Sequence, residues 1–385
     1  MMEIKNLKKA AQRILKAVKN KEKIILYGDA DLDGATSVII LKDAVKSLGG
    51  KIVAVYFPDK ETEGYGITEK GLKTLKKEAP ALLVALDCGI GNFKEVELAK
   101  TFGFETIIID HHLILDKLPA AEIIVDPKQP GDEYPFKELS AAGLAFKLSE
   151  VILGDKLKER LKKNLLELTA MSVIADMMPR ESENKIFIEE GLSSIKDSWR
   201  PGIKAFLETD FFKDYPDLDR KISKIISILN IRDVKKGLPA SFRLLSSSSI
   251  EEAKTIIKEL LKKSEKRGEI IEKITDEIEK RLKKDENPVI FEGDADFDLI
   301  LLSSVASALC RQYSKPVFLY KKMARESHGT VRVPKKTNSV SLMKTCSEYL
   351  LSYGGHPQAS GFRLKNKNLA DFKKCLIAQF NPCAK

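Results

Sequence analysis

Long apolar runs and paired cysteines are missing from this 385-residue sequence. No stretch approaches the roughly 18 to 20 uninterrupted apolar residues that a membrane-spanning helix needs, and the lysine-rich start lacks the apolar core of a signal peptide. These absences predict a cytoplasmic protein outside the membrane. The five cysteines include no C-x-x-C pair, which argues against a zinc knuckle and against a secreted disulfide framework. We expect free thiols at Cys88, Cys310, Cys346, Cys375 and Cys383.

The charge balance of the chain is basic. Lysine and arginine outnumber the acids 66 to 56, for a net charge of +10, and such a protein favours polyanionic partners such as nucleic acid. A lysine-rich solvated surface, as in heat-adapted proteins, explains the same numbers equally well.

The first part of the chain alternates short β-rich runs with helical segments. After an amphipathic helix over about residues 5 to 20, the runs KIILYG, KIVAVYF, ALLVALD and ETIIID are separated by helical patterns over 35–48, 67–77 and 93–102. This alternation predicts βαβ units on a parallel sheet, whose strands are apolar throughout because both faces are buried. Ligands of such sheets bind beyond the carboxyl ends of the strands.

A long charged helix is predicted from Ser249 to about Lys284, after a mostly helical region over 140–230. The spacing Ser249-x-x-Glu252 at its start is that of a capping box. The helix either packs against one domain or connects two; we favour a connector because a new strand and helix pattern begins directly after it, at PVIFEGDAD. A chain of this length is expected to form two domains. We predict a first domain over 1–230, a connector over 231–285 and a second domain over 286–385.

Acids and histidines follow three of the predicted strands. They are, strand by strand, Asp29, Asp31 and Asp33; then Asp87; then Asp110, His111 and His112. A single acid before a helix is more often an N-cap than a ligand. Residues two apart on a strand share one face, so the first three carboxylates project together if the extended conformation persists. Carboxylates that close raise one another's pKa unless a cation neutralises them.

The mixed carboxylate and imidazole set suits manganese first and magnesium second, with enough ligands for two divalent ions. Two ions a few Å apart can hold a water as nucleophile and grip a phosphate during in-line attack. The chain has only four histidines, and none lies in a plain apolar helix stripe, where a structural histidine is usually found.

Four segments resemble, in order and at these intervals, the four motifs of the DHH phosphoesterase superfamily: GDADLDG, LDCGIG, IDHH and IADMMP. GGHPQASG resembles the glycine-rich signature of its accessory domain. Within the superfamily the chain is most similar to RecJ-like exonucleases, through EGYG at 63–66, VDPKQPGDEYPFKELSAAGLAFKL at 125–148 and ADMMPRESENK at 175–185. The similarity spans about residues 20–365, and the motifs are specific as a set. It implies an α/β fold: a parallel-sheet DHH domain joined by a long helix to a smaller α/β DHH-associated domain, with the active site in the cleft between them.

The resemblance also implies roles for the acids and histidines. The implied metal ligands are Asp31, Asp33, Asp87, His111 and Asp176, joined by Asp29 as a further ligand or as a residue that supports one. Asp87 would bridge the two ions. His112 would contact the phosphate and serve as general acid, while Asp110 would coordinate or orient its histidine neighbours.

GGH at 354–356 is either a turn with an incidental histidine or a phosphate-binding loop. Glycine allows the backbone to approach a ligand closely. In RecJ-like proteins the equivalent loop binds the phosphate of the scissile nucleotide, which implies this role for Gly354, Gly355 and His356.

Arg332 resembles the phosphate-binding arginine of an S-x-R-S signature in the family's accessory domain. The planar guanidinium group of an arginine can form two parallel hydrogen bonds with a phosphate. Thr330 and Val333 stand here in place of the two serines. Arg325 and His328 are nearby candidates of lower rank.

EGDADFDLI at 292–300 nearly repeats the first acidic motif. A duplication or a second metal site would explain it, but the following glycine is missing and no DHH-like run accompanies it. RecJ-like proteins hold no metal at this junction. We therefore predict helix capping by Asp296 or Asp298.

The favoured hypothesis is a metal-dependent exonuclease that releases mononucleotides from single-stranded DNA or RNA, with replication or repair proteins as candidate partners. Phosphate contacts would dominate binding, and a cleft would admit a single strand and exclude a duplex. Bacterial RecJ proteins typically carry an oligonucleotide-binding barrel that has no counterpart here, so we expect a short, archaeal-like form. One alternative is an enzyme that degrades very short RNAs or dephosphorylates 3'-phosphoadenosine 5'-phosphate. The other is a replication scaffold that has lost its catalytic residues, although every implied metal ligand is present here.

Overall fold

A computed structural model describes residues 3–60, 62–114, 117–212, 217–282 and 287–380, without the side chains of Phe212 and His356. The chain divides into two compact units, Met1–Lys262 and Lys263–Lys385. The helix Ile250–Leu282 contributes residues to both units. Separate segments over 1–230, 231–285 and 286–385 stay a prediction.

The strands of the described residues are β1 (Lys23–Gly28), β2 (Lys51–Tyr56), β3 (Ala81–Leu86), β4 (Phe104–Ile109), β5 (Ile123–Val125), β6 (Val234–Lys235), β7 (Leu238–Pro239), β8 (Ile290–Asp294), β9 (Val317–Lys322), β10 (Glu326–Arg332), β11 (Leu350–His356) and β12 (Ala359–Lys365).

The α-helices of the described residues are α1 (Leu7–Lys19), α2 (Leu32–Ser47), α3 (Glu69–Leu75), α4 (Phe93–Thr101), α5 (Ala141–Leu153), α6 (Glu159–Ala175), α7 (Ser182–Ser194), α8 (Pro201–Glu208), α9 (Leu218–Leu229), α10 (Ala240–Leu245), α11 (Ile250–Leu282), α12 (Leu299–Tyr313), α13 (Ser339–Thr345) and α14 (Leu369–Ala378). None of the helices in the described ranges is both long and apolar enough to cross a membrane.

The first unit is built on a five-stranded parallel sheet in the order β2-β1-β3-β4-β5. Neighbouring residues of β1 enter different cores: Leu26 lies in the cluster formed with α1, α2 and α5, whereas Tyr27 lies in the cluster formed with α3 and α4. Burial on both faces is the reason that the strands read as continuous apolar runs. The predicted parallel α/β fold is confirmed, and all five carboxyl ends lie at one edge.

Glu167, in α6, is a buried carboxyl group away from that edge, with 2% of its surface exposed. Its Oε2 accepts hydrogen bonds from Ser198 Oγ and, at 3.3 Å, from Asn164 Nδ2. Burial disfavours the charged form and raises the pKa of Glu167 from 4.5 to about 7. The folded protein therefore retains this proton over a pH range in which the unfolded chain has released it.

We expect the Glu167→Gln variant to lose part of the pH dependence of stability. Because the pKa of Glu167 is raised in the folded protein, its ionisation does not lower the free energy of unfolding below pH 4.5. The destabilisation grows between pH 4.5 and 7 and levels off above pH 7 at roughly 3 kcal/mol. Thermal unfolding at pH 5 and pH 8 measures this, and the fall in Tm between them should be smaller in the variant. Glu190→Gln is the control: Glu190 is exposed, so this variant should show the same fall in Tm between pH 5 and pH 8 as wild type. A fall as large as that of wild type in Glu167→Gln would contradict the raised pKa of Glu167.

The second unit contains a five-stranded mixed sheet in the order β11-β12-β10-β9-β8, in which only β8 and β9 pair in parallel. The predicted smaller α/β unit is therefore confirmed. At the near-repeat of the acidic motif, Asp298 accepts a hydrogen bond from Ile300 N at 2.9 Å and caps α12. Asp294 instead forms an ion pair with Arg281 at 2.8 Å. The capping prediction is confirmed for Asp298.

The expectation of free thiols is wrong for two cysteines. Cys346, at the end of α13, forms a disulfide with Cys375 in α14, with the Cα atoms 6.0 Å apart. The two cysteines are 29 residues apart, and only the packing of the second unit brings them together. Cys88 and Cys310 are free and buried, and Cys383 lies outside the described residues.

Candidate dimetal site

The predicted acids follow β1, β3 and β4 in register at one sheet edge. Backbone hydrogen bonds continue the ladder for one residue beyond each strand: Asp29 N donates to Leu86 O, Asp87 N to Ile109 O, and Asp110 N to Val125 O. The sheet itself therefore sets the spacing of these side chains.

The extended conformation does not persist as far as Asp33, so the condition under which Asp29, Asp31 and Asp33 would share one strand face is not met. Helix α2 begins at Leu32, earlier than predicted, because Asp31 acts as its N-cap: Oδ1 of Asp31 accepts a hydrogen bond from Gly34 N at 3.1 Å. Asp33 consequently lies in the first turn of the helix. The capping and the ligand interpretations of Asp31 are compatible, since its Oδ2 is left for another contact.

Gly34 is required by a close approach. A Cβ atom at this position would lie 2.3 Å from Asp29 O and 2.7 Å from Asp29 N, both of them backbone atoms. The first turn of α2 packs directly on the chain that leaves β1, which draws the three carboxylates together.

Asp33 is held by groups that the sequence interpretation missed. At the N-terminus of α5, which Ser140 caps, Ala141 N donates to Asp33 Oδ2 and Ala142 N to Oδ1, both at 2.8 Å. Ser172 Oγ, from α6, also donates to Oδ1. A helix N-terminus stabilises a carboxylate, so this carboxylate is ordered before any ion binds.

The carboxylates and the imidazole of His111 converge at this edge. His111 Nε2 lies 3.2 Å from Asp87 Oδ1, 3.6 Å from Asp33 Oδ2 and 3.7 Å from Asp176 Oδ2. Asp176 is the C-cap of α6, three residues before Pro179.

Ligand atoms form three overlapping groups, each within 4.8 Å. They are Asp33 with His111 and Asp176; Asp29 with Asp31 and Asp87; and Asp87 with His111 and His112. The structure thus brings together all six predicted metal ligands, with Asp87 close to both ends of the cluster.

The electrostatics of the cluster favour a divalent cation. Asp87 is 4% exposed, and burial together with the neighbouring Asp33 raises its pKa well above the ordinary range. Burial and nearby carboxylates raise the pKa of Asp176 to about 7 and that of Asp29 to about 6. A bound cation reverses this by favouring the ionised forms. Oxygen ligands with one imidazole nitrogen suit manganese or magnesium, so the residues present fit two such ions.

Asp87 also has an unusual backbone conformation, with φ at 61°. Residues with positive φ cost free energy and persist where the surrounding structure holds them in place. Here the turn after β3 directs the carboxylate toward His111 and the other acids. The strained backbone, the burial and the repulsion by neighbouring carboxylates all destabilise the folded protein at Asp87. A role in metal binding explains why the chain keeps an aspartate there.

The two adjacent histidines differ in charge. Burial lowers the pKa of His111, which leaves the neutral imidazole that a metal requires. His112 Nδ1 lies 2.7 Å from Asp110 Oδ1, and this hydrogen bond raises the pKa of His112 to about 9. His112 is therefore a cation at neutral pH, with a half-exposed side chain that can donate to a phosphate.

Asp110 supports its neighbours from outside the ligand groups. Its carboxylate accepts hydrogen bonds from the backbone N–H groups of Ile90, His111 and His112 and from the His112 ring. Burial opposes its charge, yet these bonds outweigh burial and lower the pKa of Asp110. Of the two roles left open for Asp110, the hydrogen bonds favour orientation of the histidines.

Lys60 is a further residue that the sequence interpretation missed. Its Nζ lies 2.7 Å from Asp29 Oδ2 and 3.3 Å from Asp31 Oδ2, and it lies 5.3 Å from the ring centre of Tyr65. Burial disfavours its charge, but the two carboxylates outweigh burial and raise its pKa. Lys60 is 29 residues from Asp31 in sequence, and no local pattern links the two.

The candidate phosphate-binding residues lie in the second unit. Arg332 ends β10 and the backbone of His356 ends β11, and both pair in register with Ala359 of β12. Gly354 and Gly355 are exposed in β11. A Cβ on Gly355, whose φ is 132°, would lie 2.7 Å from Ala359 O. The side chain of His356 lies outside the described part of the chain.

The three remaining candidates have different surroundings. Arg332 is half-buried and donates to Ser307 Oγ, Thr330 Oγ1 and Val331 O. His328 Nε2 lies 2.8 Å from Glu326 Oε1, so its ring already has an acidic partner. Arg325 is exposed and precedes β10, at the opposite end from Arg332.

We expect Ser172→Ala to lower the affinity of the first unit for Mn²⁺ by about 10- to 100-fold, the usual cost of removing a group that orients a metal ligand. The variant removes the hydroxyl donor to Asp33. Isothermal titration calorimetry measures the effect. Ser149→Ala is the matched control, since Ser149 is equally buried and its hydroxyl donates to Ala145 O, within its own helix. Equal affinities in the two variants would contradict the role of Ser172.

Comparison with known proteins agrees with this geometry. Residues 23–173 match the family model described as DHH family, N-terminal domain. Over 97% of its length the chain is 31% identical to the single-stranded-DNA-specific exonuclease RecJ of Bacillus subtilis (strain 168), and it covers 48% of that protein. The chain therefore spans about half the length of this curated relative.

Solved structures show the same fold over nearly the whole chain. The crystal structure of exonuclease RecJ bound to manganese is 26% identical, with a TM-score of 0.77 over 98% of this chain and 95% of that chain. The structure of RecJ from Thermus thermophilus in complex with Mn²⁺ is 24% identical, with a TM-score of 0.79 over 98% of this chain and 55% of that chain.

Proposed function

Since the chain belongs to the DHH family, we propose that it is a metal-dependent phosphodiesterase that releases mononucleotides from an end of single-stranded DNA or RNA. The observation that carries the proposal is a pair of neighbouring ligand groups, Asp33 with His111 and Asp176, and Asp29 with Asp31 and Asp87. Asp87 Oδ1 lies 3.2 Å from His111 Nε2 of the first group. The manganese-bound exonuclease structure supports manganese as the ion, with magnesium second.

Two ions held there would supply a nucleophilic water and charge stabilisation for in-line attack on a phosphate. The remaining chemistry belongs to the chain. Asp110 keeps His112 protonated and oriented, so His112 can donate a hydrogen bond to a phosphate oxygen or a proton to the leaving group. Asp33, fixed by the N-terminus of α5, keeps its carboxylate in place without reorganisation.

We extend the proposal to the second unit, where Arg332, Gly354, Gly355 and His356 would bind phosphates of the same strand, with Arg325 and His328 as weaker contributors. An arginine fork and glycine backbone N–H groups suit phosphate oxygens. The net charge of +10 agrees with binding that weakens as salt is raised. Proteins of replication or repair are proposed as partners.

End-labelled oligonucleotides test the proposal. DNA and RNA strands of several lengths, labelled at the 5' or the 3' end, are incubated with the protein and Mn²⁺, Mg²⁺ or EDTA. We expect metal-dependent release of mononucleotides from single strands and little from a blunt duplex, and the label released first gives the polarity. Equal cleavage of duplex and single strand would contradict the strand preference, and no release with either ion would contradict the enzymatic proposal.

The same assay separates the alternatives. An enzyme for very short RNAs would degrade only the shortest strands. A replication scaffold would be inert with either ion and would still bind its partner proteins. The buried, mutually repelling carboxylates argue against a scaffold, because they cost folding free energy that bound ions would recover.

A further inference from the structure

Lys60 contacts the one side of the acidic cluster that has no imidazole. Its Nζ bridges Asp29 Oδ2 and Asp31 Oδ2, at 2.7 and 3.3 Å. The lysine side chain is 26% exposed and that of Asp29 is 13% exposed. The Lys60–Asp29 ion pair is therefore more sheltered from water than a surface ion pair, which typically contributes little to stability.

The oxygens that Lys60 uses are those that an ion would need. Asp29 Oδ1 accepts a hydrogen bond from Ala30 N at 2.9 Å, and Asp31 Oδ1 accepts one from Gly34 N as the cap of α2. The remaining oxygens of these two carboxylates are the Oδ2 atoms, and Lys60 contacts both. An ion bound by Asp29, Asp31 and Asp87 would meet the ammonium group at the same atoms.

Lys60 has an aromatic partner in addition to the two carboxylates. Its Nζ lies 5.3 Å from the ring centre of Tyr65, which is 76% exposed. An aromatic face attracts a cation, so the ammonium group can move from the carboxylates toward Tyr65 and solvent without losing every partner. Among the described residues no lysine or arginine forms an ion pair with Asp33, Asp87 or Asp176, which surround the imidazole of His111. The cations at that end contact other atoms: His112 Nδ1 pairs with Asp110, and Lys128 Nζ donates to His111 O at 2.8 Å.

We propose that Lys60 is an internal cation that occupies the Asp29 and Asp31 pair when no divalent ion is bound there and that competes with the second ion. The inference rests on the proposed two-ion function and adds a regulatory property to it. Lys60 stabilises the acidic cluster of the metal-free protein and lowers the affinity of this half of the site. The two ions then bind in sequence, the first at the His111 group and the second only as Lys60 leaves.

Manganese titration of the full chain by isothermal calorimetry tests the inference on wild type, Lys60→Gln, Lys60→Arg and Lys73→Gln. Like charges this close repel strongly even with water present, so Lys60→Gln should tighten the weaker binding step by at least about tenfold and leave the tighter step unchanged. Lys60→Arg keeps the charge and should resemble wild type. Lys73→Gln removes one charge from an exposed pair with Glu69 and controls for the change in net charge.

Thermal unfolding in EDTA and in Mn²⁺ provides an independent readout. Lys60→Gln should unfold at a lower temperature than wild type in EDTA, because the carboxylates lose their counter-charge, and should show a larger rise in Tm on adding Mn²⁺. A lysine with only a structural role would lower Tm equally in both conditions.

The outcomes separate the inference from the function on which it rests. If Lys60→Gln bound each of the two ions with the same affinity as wild type, the proposed competition would be overturned and the two-ion proposal would stand. Failure of wild type and every variant to bind Mn²⁺ would overturn the proposed function and the inference with it.

Discussion

Asp87→Asn is expected to lower the rate of mononucleotide release by at least about 10³-fold. Removing a group that merely orients a metal ligand costs about 10- to 100-fold, and Asp87 itself supplies ligand atoms to the Asp29 and Asp31 group and lies 3.2 Å from His111. Steady-state release from a labelled single strand in saturating Mn²⁺ measures the loss. A loss of less than about tenfold would contradict a shared role for Asp87.

The same variant should be no less stable than wild type in EDTA. Burial and Asp33 raise the pKa of Asp87 in the folded state, so its ionisation destabilises the folded protein above the pKa of the unfolded chain. A neutral amide removes that cost, and a higher Tm with lost activity is the expected signature. Asp296→Asn is the matched control, since Asp296 is the exposed counterpart of Asp31 in the near-repeat and its loss should affect neither property.

Gly34→Ala is expected to destabilise the first unit by at least about 1–3 kcal/mol, the usual cost of overpacking, and to abolish Mn²⁺-dependent release. The added methyl group would overlap the backbone of Asp29 at 2.3 Å, and backbone atoms have little freedom to give way. Relief of that overlap requires α2 to move away from β1, which separates Asp29 from Asp31 and Asp33. Chemical denaturation and the release assay together measure the two effects.

Gly91→Ala serves as the control for that substitution. Gly91 lies in the LDCGIG segment near the same sheet edge, and a Cβ there would meet no atom within 4 Å. We expect a change in the free energy of unfolding of no more than about 0.5 kcal/mol. If Gly34→Ala were equally harmless, the close approach of α2 to β1 would not be what assembles the carboxylates.

The parallel sheet and its acidic edge were predictable because both follow from local patterns. Continuous apolar runs identified β1, β3 and β4, and the residues directly after them became the site, since parallel strands end at a common edge. The capping role of Asp298 in the near-repeat was also predictable, because an acid directly before a helix is typically its N-cap.

What could not be predicted depends on packing between distant segments. Asp33 is held by Ala141 and Ala142, 108 and 109 residues later in the chain, and Lys60 reaches Asp29 across 31 residues. The Cys346–Cys375 disulfide is likewise a product of the fold of the second unit. Asp31 shows a further difficulty, because one residue both caps α2 and faces the acidic cluster, so that choosing between cap and ligand was the wrong question.

The central claim is that two ions bind side by side, one at Asp33, His111 and Asp176 and one at Asp29 and Asp31, with Asp87 placed to contact both. The number of manganese ions bound per chain tests this claim most directly. Calorimetric titration should give two ions for wild type and one each for Asp31→Asn and Asp176→Asn, because each of these variants damages one group. Asp87→Asn should retain neither ion at wild-type affinity. Two ions bound by Asp87→Asn with wild-type affinity would contradict the claim.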